Sequence, residues 1–282
     1  MQLNINDEYS SLKTVVVASG NYFNSETVPI NNETIRHYLE NNNLPNKEII
    51  LKEQKAFWDI LKANDVKLLV ADEVNGAKGQ MFTRDLGFVI KDNFFISNMK
   101  KENRRQAIKG WNKIISKIPE KNVIKVPENI FLEGGDILVD NQNIYVGISQ
   151  RTTILSVEFL KQVLPDTYNI IPIFLQEGFL HLDVVFTIIN PQLALVYKEG
   201  IKPESYKLLD KFKKIEVTKE EQFALATNVI VLNPQTIIMN TNQKRIKKLL
   251  TDLGFNVITT DLKEISKAGG AFRCTTCPLY RQ

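Results

Sequence analysis

The sequence predicts an α/β fold in which five ββαβ units close into a ring, a five-bladed α/β propeller. Two observations carry this expectation. Pairs of β-rich runs joined by short polar turns recur along the chain, and each pair leads into helically spaced apolar residues and a further short β-rich run. Anchored on Asp85, Asp136, Asp183, Asn228 and Cys274, the recurrence has intervals of 51, 47, 45 and 46 residues. A period of this size marks a modular architecture, each unit burying its apolar face against its neighbours.

Taken in order, a strand at 14–18, a helix at Lys47–Ala63 and a strand at 66–70 make a unit that lacks one hairpin arm. The first complete unit pairs 86–90 with 94–97 across Lys91-Asp92-Asn93, then runs through a helix at 102–117 to a strand at 123–126. The second pairs 136–139 with 144–147 around the turn 140–143, followed by a helix at 152–163 and a strand at 170–174. The third pairs 184–189 with 193–197 across Asn190-Pro191-Gln192, followed by 204–212 and 214–217. The fourth pairs 229–232 with 236–239 across Asn233-Pro234-Gln235, followed by 243–253 and 256–259. Asn, Asp and Pro supply the reversals. The C-terminal stretch 270–279 offers the missing arm, so the ring closes through the termini as one domain spanning 1–282.

Composition narrows the function classes. The chain has 282 residues, 43% hydrophobic and 24% charged, which excludes disorder, collagen and coiled coil as the main architecture. The longest apolar stretch, 179–197, is broken by His181, Asp183, Asn190, Pro191 and Gln192, so no membrane span is expected. The first residues lack a basic and then apolar leader, so no secretory signal is expected. A net charge of +4 from 36 cations and 32 anions makes no strong polyanion-binding surface. The one basic cluster, at 242–248, fits the solvated face of a helix, and no nucleic-acid partner is expected. Two cysteines are no disulfide framework, which points to a reducing compartment, the cytoplasm.

In a closed ring, equivalent positions of the five units meet at one mouth of the axis. Those positions hold Arg84-Asp85, Glu133-Gly134-Gly135-Asp136, His181-Leu182-Asp183, Thr227-Asn228 and Arg273-Cys274. Taken singly, each has a bland reading: an Asp before a strand is usually a turn residue, and a lone Cys is usually a small hydrophobe. Their shared phase is what argues for a site. A thiolate is a strong nucleophile, and an imidazole beside it can serve as acid and base. Several carboxylates beside them suit a planar, forked cation, which describes a guanidinium. Asp136, at the same phase, is a further candidate for substrate contact. Cys274-Thr275-Thr276-Cys277 has zinc-knuckle spacing, but no second such pair follows, and no metal is expected.

In order and spacing, MFTRDLGFVI, FLEGGDILVD, VGISQRT, HLDVVFTI and GGAFRCTTCPL resemble the motifs of the guanidine-modifying, or amidinotransferase, superfamily. That superfamily includes arginine deiminases, dimethylarginine dimethylaminohydrolases and glycine amidinotransferases, and the resemblance covers roughly residues 10–282. It implies the pentein fold, which is the five-bladed propeller, and no cofactor. It also implies roles: Cys274 as nucleophile, His181 as general acid and base, and Glu133 as the residue holding the histidine. Asp85 and Asp183 would grip the guanidinium nitrogens, and Arg104 and Arg151 would bind a substrate α-carboxylate. Phe272 departs from the glycine-rich run usual before the cysteine, and is a candidate for narrowing the pocket. The helical insertion of typical arginine deiminases is missing.

The reaction implied is attack of Cys274 on the guanidinium carbon, loss of an amine protonated by His181, and attack by an acceptor on the resulting thiouronium. With water as acceptor the chain is a hydrolase of arginine or an arginine derivative, methylarginine included. With an amine it is an amidinotransferase. A non-catalytic binding propeller is the remote alternative, and it has no need of the Cys–His–carboxylate set. The expected partner is a small guanidino molecule such as arginine, and a homodimer stays open.

Overall fold

A computed structural model describes residues 1–23 and 33–282, with the side chains of 33–35 left aside. Five three-stranded sheets repeat one pattern, an antiparallel hairpin whose second strand pairs in parallel with a third. The strands are Gly87–Ile90, Asn93–Ile96 and Val123–Lys125, then Ile137–Asp140, Asn143–Ile148 and Asn169–Phe174. Next come Phe186–Asn190, Leu193–Val196 and Lys213–Glu216, then Ile230–Asn233, Thr236–Asn240 and Asn256–Thr260. The fifth sheet joins the termini: Cys277–Arg281 pairs with Leu12–Val17, which pairs with Lys67–Val70. A parallel pair needs a crossover, and the helical segment of each unit provides it.

Burial explains how the sheets stand. The first strands Gly87–Ile90 and Ile137–Asp140 are buried at every residue, whereas the third strands Lys67–Val70, Val123–Lys125 and Asn256–Thr260 mix exposed and half-buried positions. Side chains on both faces of a first strand are therefore covered, which places it beside the axis with neighbouring blades on either side. Contacts between blades run around the ring: Cys277–Arg281 lies against Gly87–Ile90, Ile137–Asp140 against Phe186–Asn190, and Leu12–Val17 against Ile230–Asn233. The third and fourth blades meet where Thr227 and Asn228 donate to the carbonyl of Asp183, at 3.4 and 3.3 Å. The ring is a closed α/β propeller.

Four departures from the sequence expectation have physical causes. The helix expected at 102–117 is broken into Glu102–Arg105, a 3₁₀ stretch Gln106–Trp111 and Asn112–Ile115. Gly110 lies so close to the chain at Asp72 that a Cβ would stand 2.3 Å from its carbonyl oxygen. The fully buried Trp111 then stacks on Phe94. The helix expected from 152 starts at Leu155, because Thr152 turns inward and its hydroxyl accepts from Glu133 N–H. The helix expected at 204–212 keeps α geometry only over Pro203–Tyr206. The C-terminal strand starts at Cys277, not 270, because 271–276 coils into turns. Three helices had no sequence expectation: Glu33–Glu40, Lys219–Phe223 with a Thr218/Glu221 capping box, and Lys263–Lys267.

Candidate active site

Tight turns deliver the site residues. Thr83–Leu86, Gly134–Asp136 and Leu182–Val184 are single 3₁₀ turns immediately before their first strands, and they pack on one another at the mouth. Glycine is required at the middle of this packing. A Cβ on Gly135 would sit 2.8 Å from the His181 ring and 3.0 Å from Asp85 Oδ1, and one on Gly134 would meet the Arg84 carbonyl at 2.2 Å. The paired glycines therefore let three blades close around one imidazole.

His181 is 3% exposed and lies between two carboxylates. Its Nε2 is 2.8 Å from Glu133 Oε2, and its Nδ1 is 3.6 Å from Asp85 Oδ1. Glu133 is held in turn by Lys100 N–H at 3.0 Å and by Arg151 Nη1 at 3.4 Å. Arg104 Nη2 donates to Asp85 Oδ2 at 3.2 Å. Among the described residues Asp85 Oδ1 is buried and accepts no hydrogen bond. Its charged neighbour is His181 Nδ1 at 3.6 Å, beyond hydrogen-bond distance, so the oxygen is free to accept from a donor that enters the site.

Cys274 sits in the turn at 271–276 and is 3% exposed. Asn228 clamps it: the amide Nδ2 donates to Sγ at 3.1 Å, while Oδ1 accepts from Cys274 N–H at 3.1 Å and Ala271 N–H at 3.2 Å. Asp183 lies beside it, with its oxygens 3.7 and 3.8 Å from Sγ, and Arg273 Nη1 donates to Asp183 Oδ2 at 2.9 Å. Glu8 accepts the other end of Arg273 at 3.0 Å.

The electrostatics follow from burial and crowded carboxylates. Burial pulls the imidazole of His181 down, but Asp85, Asp136 and Glu133 outweigh it and lift the group to about 9. Burial first, then Asp183 and Asp85, push the Cys274 thiol well above its ordinary value. Burial acts upward on Glu133 too, yet the hydrogen bond and charge of His181 hold it below the usual carboxylate range. Asp85 is raised by burial against the pull of His181 and Arg104. The resting state near neutral pH is thus a protonated imidazole and a neutral thiol. A cation placed between Asp85 and Asp183 would reverse the charge felt by the sulfur and favour the thiolate.

Of the residues expected from sequence, Cys274, Asp183, His181, Glu133 and Asp85 come together. Arg104 and Arg151 come with them, and their guanidiniums rest on Asp85 and Glu133. Asp136 lies behind the histidine: its oxygens accept from Leu182 N–H and Ser149 Oγ, both at 2.8 Å, and burial raises it to about 7. Phe272 is turned away from the mouth, its ring edge-on to Phe57 at 5.1 Å. Cys277 is separate from Cys274, fully buried with Sγ donating to the Gly87 carbonyl. The clamp role of Asn228 and the Arg273 bridge had no sequence expectation, although Asn228 stood in the right repeat phase. Asp85, Glu133 and His181 also have ligand atoms within 4.8 Å of one another, a spacing that suits a metal ion. Two arginines already lie on those carboxylates, so the set favours a forked organic cation over a dication.

Over residues 19–281 the chain matches the family described as N,N dimethylarginine dimethylhydrolase, eukaryotic. It belongs to that family. The uncharacterized protein YkgA of Bacillus subtilis is 36% identical over 277 residues, which is 97% of this chain and 94% of YkgA. The bifunctional arginine dihydrolase/ornithine cyclodeaminase ArgZ of Synechocystis sp. is 28% identical over 235 residues, 78% of this chain. This chain spans about a third of ArgZ, 32%. The solved N-terminal domain of ArgZ, covalently bound to a reaction intermediate, superposes with a TM-score of 0.84 at 22% identity, covering 95% of this chain and 98% of that one. SxtG, an amidinotransferase from Microseira wollei, gives 0.84 at 19% identity over 99% of this chain and 97% of its own. These structures establish the pentein propeller, and the relatives with assigned activities, among them ArgZ and the arginine deiminase of Mycoplasma capricolum, are guanidino-group-modifying enzymes. Among the described residues no helix is long and apolar enough to cross a membrane.

Proposed function

We propose that the protein is a single-domain, cysteine-dependent hydrolase of the guanidinium group of arginine or an arginine derivative. The observation that carries the reading is the shared mouth of Cys274, His181, Glu133, Asp85 and Asp183, with Asp85 Oδ1 buried and accepting no hydrogen bond. A guanidinium held by Asp85 and Asp183 presents its carbon to Cys274. As the cation binds, Cys274 gives up its proton to solvent. The thiolate adds to that carbon, the C–N bond to the leaving nitrogen breaks, and His181 gives that nitrogen its proton. His181 then removes a proton from water, which attacks the thiouronium carbon. The C–S bond breaks and a ureido product leaves. Glu133 keeps the imidazole oriented and charged, and Asp136 steadies the turn that carries it. Arg104 and Arg151 neutralise the carboxylates of Asp85 and Glu133, and in this reading one of them turns to a substrate carboxylate when it binds. No metal or redox cofactor enters the scheme.

An amidinotransferase shares the first half of this reaction, and relatives named glycine amidinotransferase match 53% of the chain at 25% identity. Incubation with arginine, its methylated forms and agmatine, with and without amine acceptors, separates the two. A ureido product and free amine or ammonia support hydrolysis. An amidinated acceptor with no ureido product would replace it by transfer, and no turnover of any guanidine would overturn both.

A further inference from the structure

Behind the nucleophile, three arginines converge along the axis of the ring. Arg84, Arg273 and Arg281 are 5%, 2% and 2% exposed. With Glu8 and Thr187 they line a small internal space, walled otherwise by Ile188 and residues 229–231. It has room for a single small occupant.

The three guanidiniums are unequally served. Arg273 reaches Asp183, Glu8 and the carbonyl of Ile137. Arg281 donates to the carbonyls of Ser10 and Val231. Among the described residues, the Arg84 side chain makes no hydrogen bond or ion pair. The Nε of Arg84, the Nε of Arg273 and the Oγ1 of Thr187 are all buried without a partner, and all three residues face the same space.

Charge points the same way. Of these three cations, which proteins do not discharge, Arg273 is paired with Glu8 and Asp183, whereas Arg84 lies near both carboxylates without pairing with either. Asp7 acts on Arg281, and the N–H groups of Tyr9 and Ser10 hold its carboxylate. Burial, and then the neighbouring Arg273, weigh against the charge on Arg84. A buried guanidinium with no hydrogen bond and no paired counter-ion of its own is strongly unfavourable. Sulfate or phosphate is too large for the space.

We propose that this axial space is a binding site for a single halide-sized monoanion, chloride under ordinary conditions, held by Arg84, Arg273 and Arg281. Arg273 also fixes Asp183 beside Cys274, so the anion would steady the floor of the candidate active site.

Crystals of the full chain soaked in bromide test this directly. An anomalous peak in contact with Arg84 and Arg273 is the expected result, and a space without such a peak would overturn the proposal. In parallel, the Tm of the wild type is followed as chloride or bromide replaces gluconate at fixed ionic strength, so that general screening cancels. A rise of a few degrees is expected from linkage at saturating halide. That rise should vanish in Arg84→Met. A halide-dependent rise that survives Arg84→Met would sink the idea. If Arg84→Met does not fold, Thr187→Val replaces it, and a weaker halide response is the expected result.

Discussion

Replacing Asp85 by Asn changes one charge at nearly constant volume, beside the imidazole that the proposed chemistry depends on. Asp85 is the largest of the charges lifting His181, which stands at about 9 against an ordinary 6.5. At the 3.6 Å separation, a full charge pair in a medium of effective dielectric about 20 is worth about 4–5 kcal/mol. That is an upper bound of about three pKa units, and Asp85 is itself raised and paired with Arg104. A fall of roughly one to three units in His181 is therefore expected. The protein has only two histidines, and His37 is exposed, so imidazole NMR titration with His37→Gln as an assignment control reads the change cleanly. In kinetics, the alkaline limb of kcat/KM, where His181 loses the proton it must donate, should move down by the same amount. Loss of a charge-assisted hydrogen bond to substrate should also lower kcat/KM by roughly ten- to a hundredfold. A histidine titration unmoved to within about half a unit would refute the electrostatic account of the site.

Cys274→Ser should abolish turnover while Cys277→Ser keeps most of it, and comparable losses from both would remove Cys274 as nucleophile. Asn228→Ala leaves two buried N–H groups unsatisfied and takes a donor from the sulfur, at about 1–3 kcal/mol each. Alkylation of Cys274 should then need higher pH than in the wild type, with kcat/KM down at least about tenfold. If Asp183 grips a terminal guanidinium nitrogen, arginine should exceed asymmetric dimethylarginine in kcat/KM by about ten- to a hundredfold; a preference for the dimethylated substrate would show that pocket shape outweighs this carboxylate. Glu8 is subject to burial acting upward, but Arg273, Arg84 and Arg281 bring it down to about 2. Its stabilisation is present above about pH 4.5 and is lost as pH falls toward 2. Glu8→Gln should flatten that limb of the acid unfolding curve, and an unchanged limb would contradict the assignment.

The ring and most of the candidate site were legible because both follow from one repeat. The turn before each first strand recurs at a fixed phase, so Asp85, Asp183 and Cys274 could be brought together from spacing alone. The Arg273 bridge was not legible. It depends on Glu8, which lies outside the repeat and 265 residues away, and on the twist of the turn at 271–276. That turn also separates the two cysteines, since Cys274 precedes the strand and Cys277 opens it. The broken helix at 102–117 was hidden for a similar reason, since apolar spacing does not reveal that Gly110 must touch Asp72.

The central claim is that Cys274 attacks a guanidinium carbon and that water completes the reaction. Acid quenching during turnover of arginine, followed by peptide mass spectrometry, tests it most directly. An adduct on Cys274 with the mass of arginine less ammonia, formed and lost as citrulline accumulates, is the predicted result. A bare amidino group on Cys274 would show transfer chemistry instead, and an adduct on another residue, or turnover by Cys274→Ser, would contradict the account.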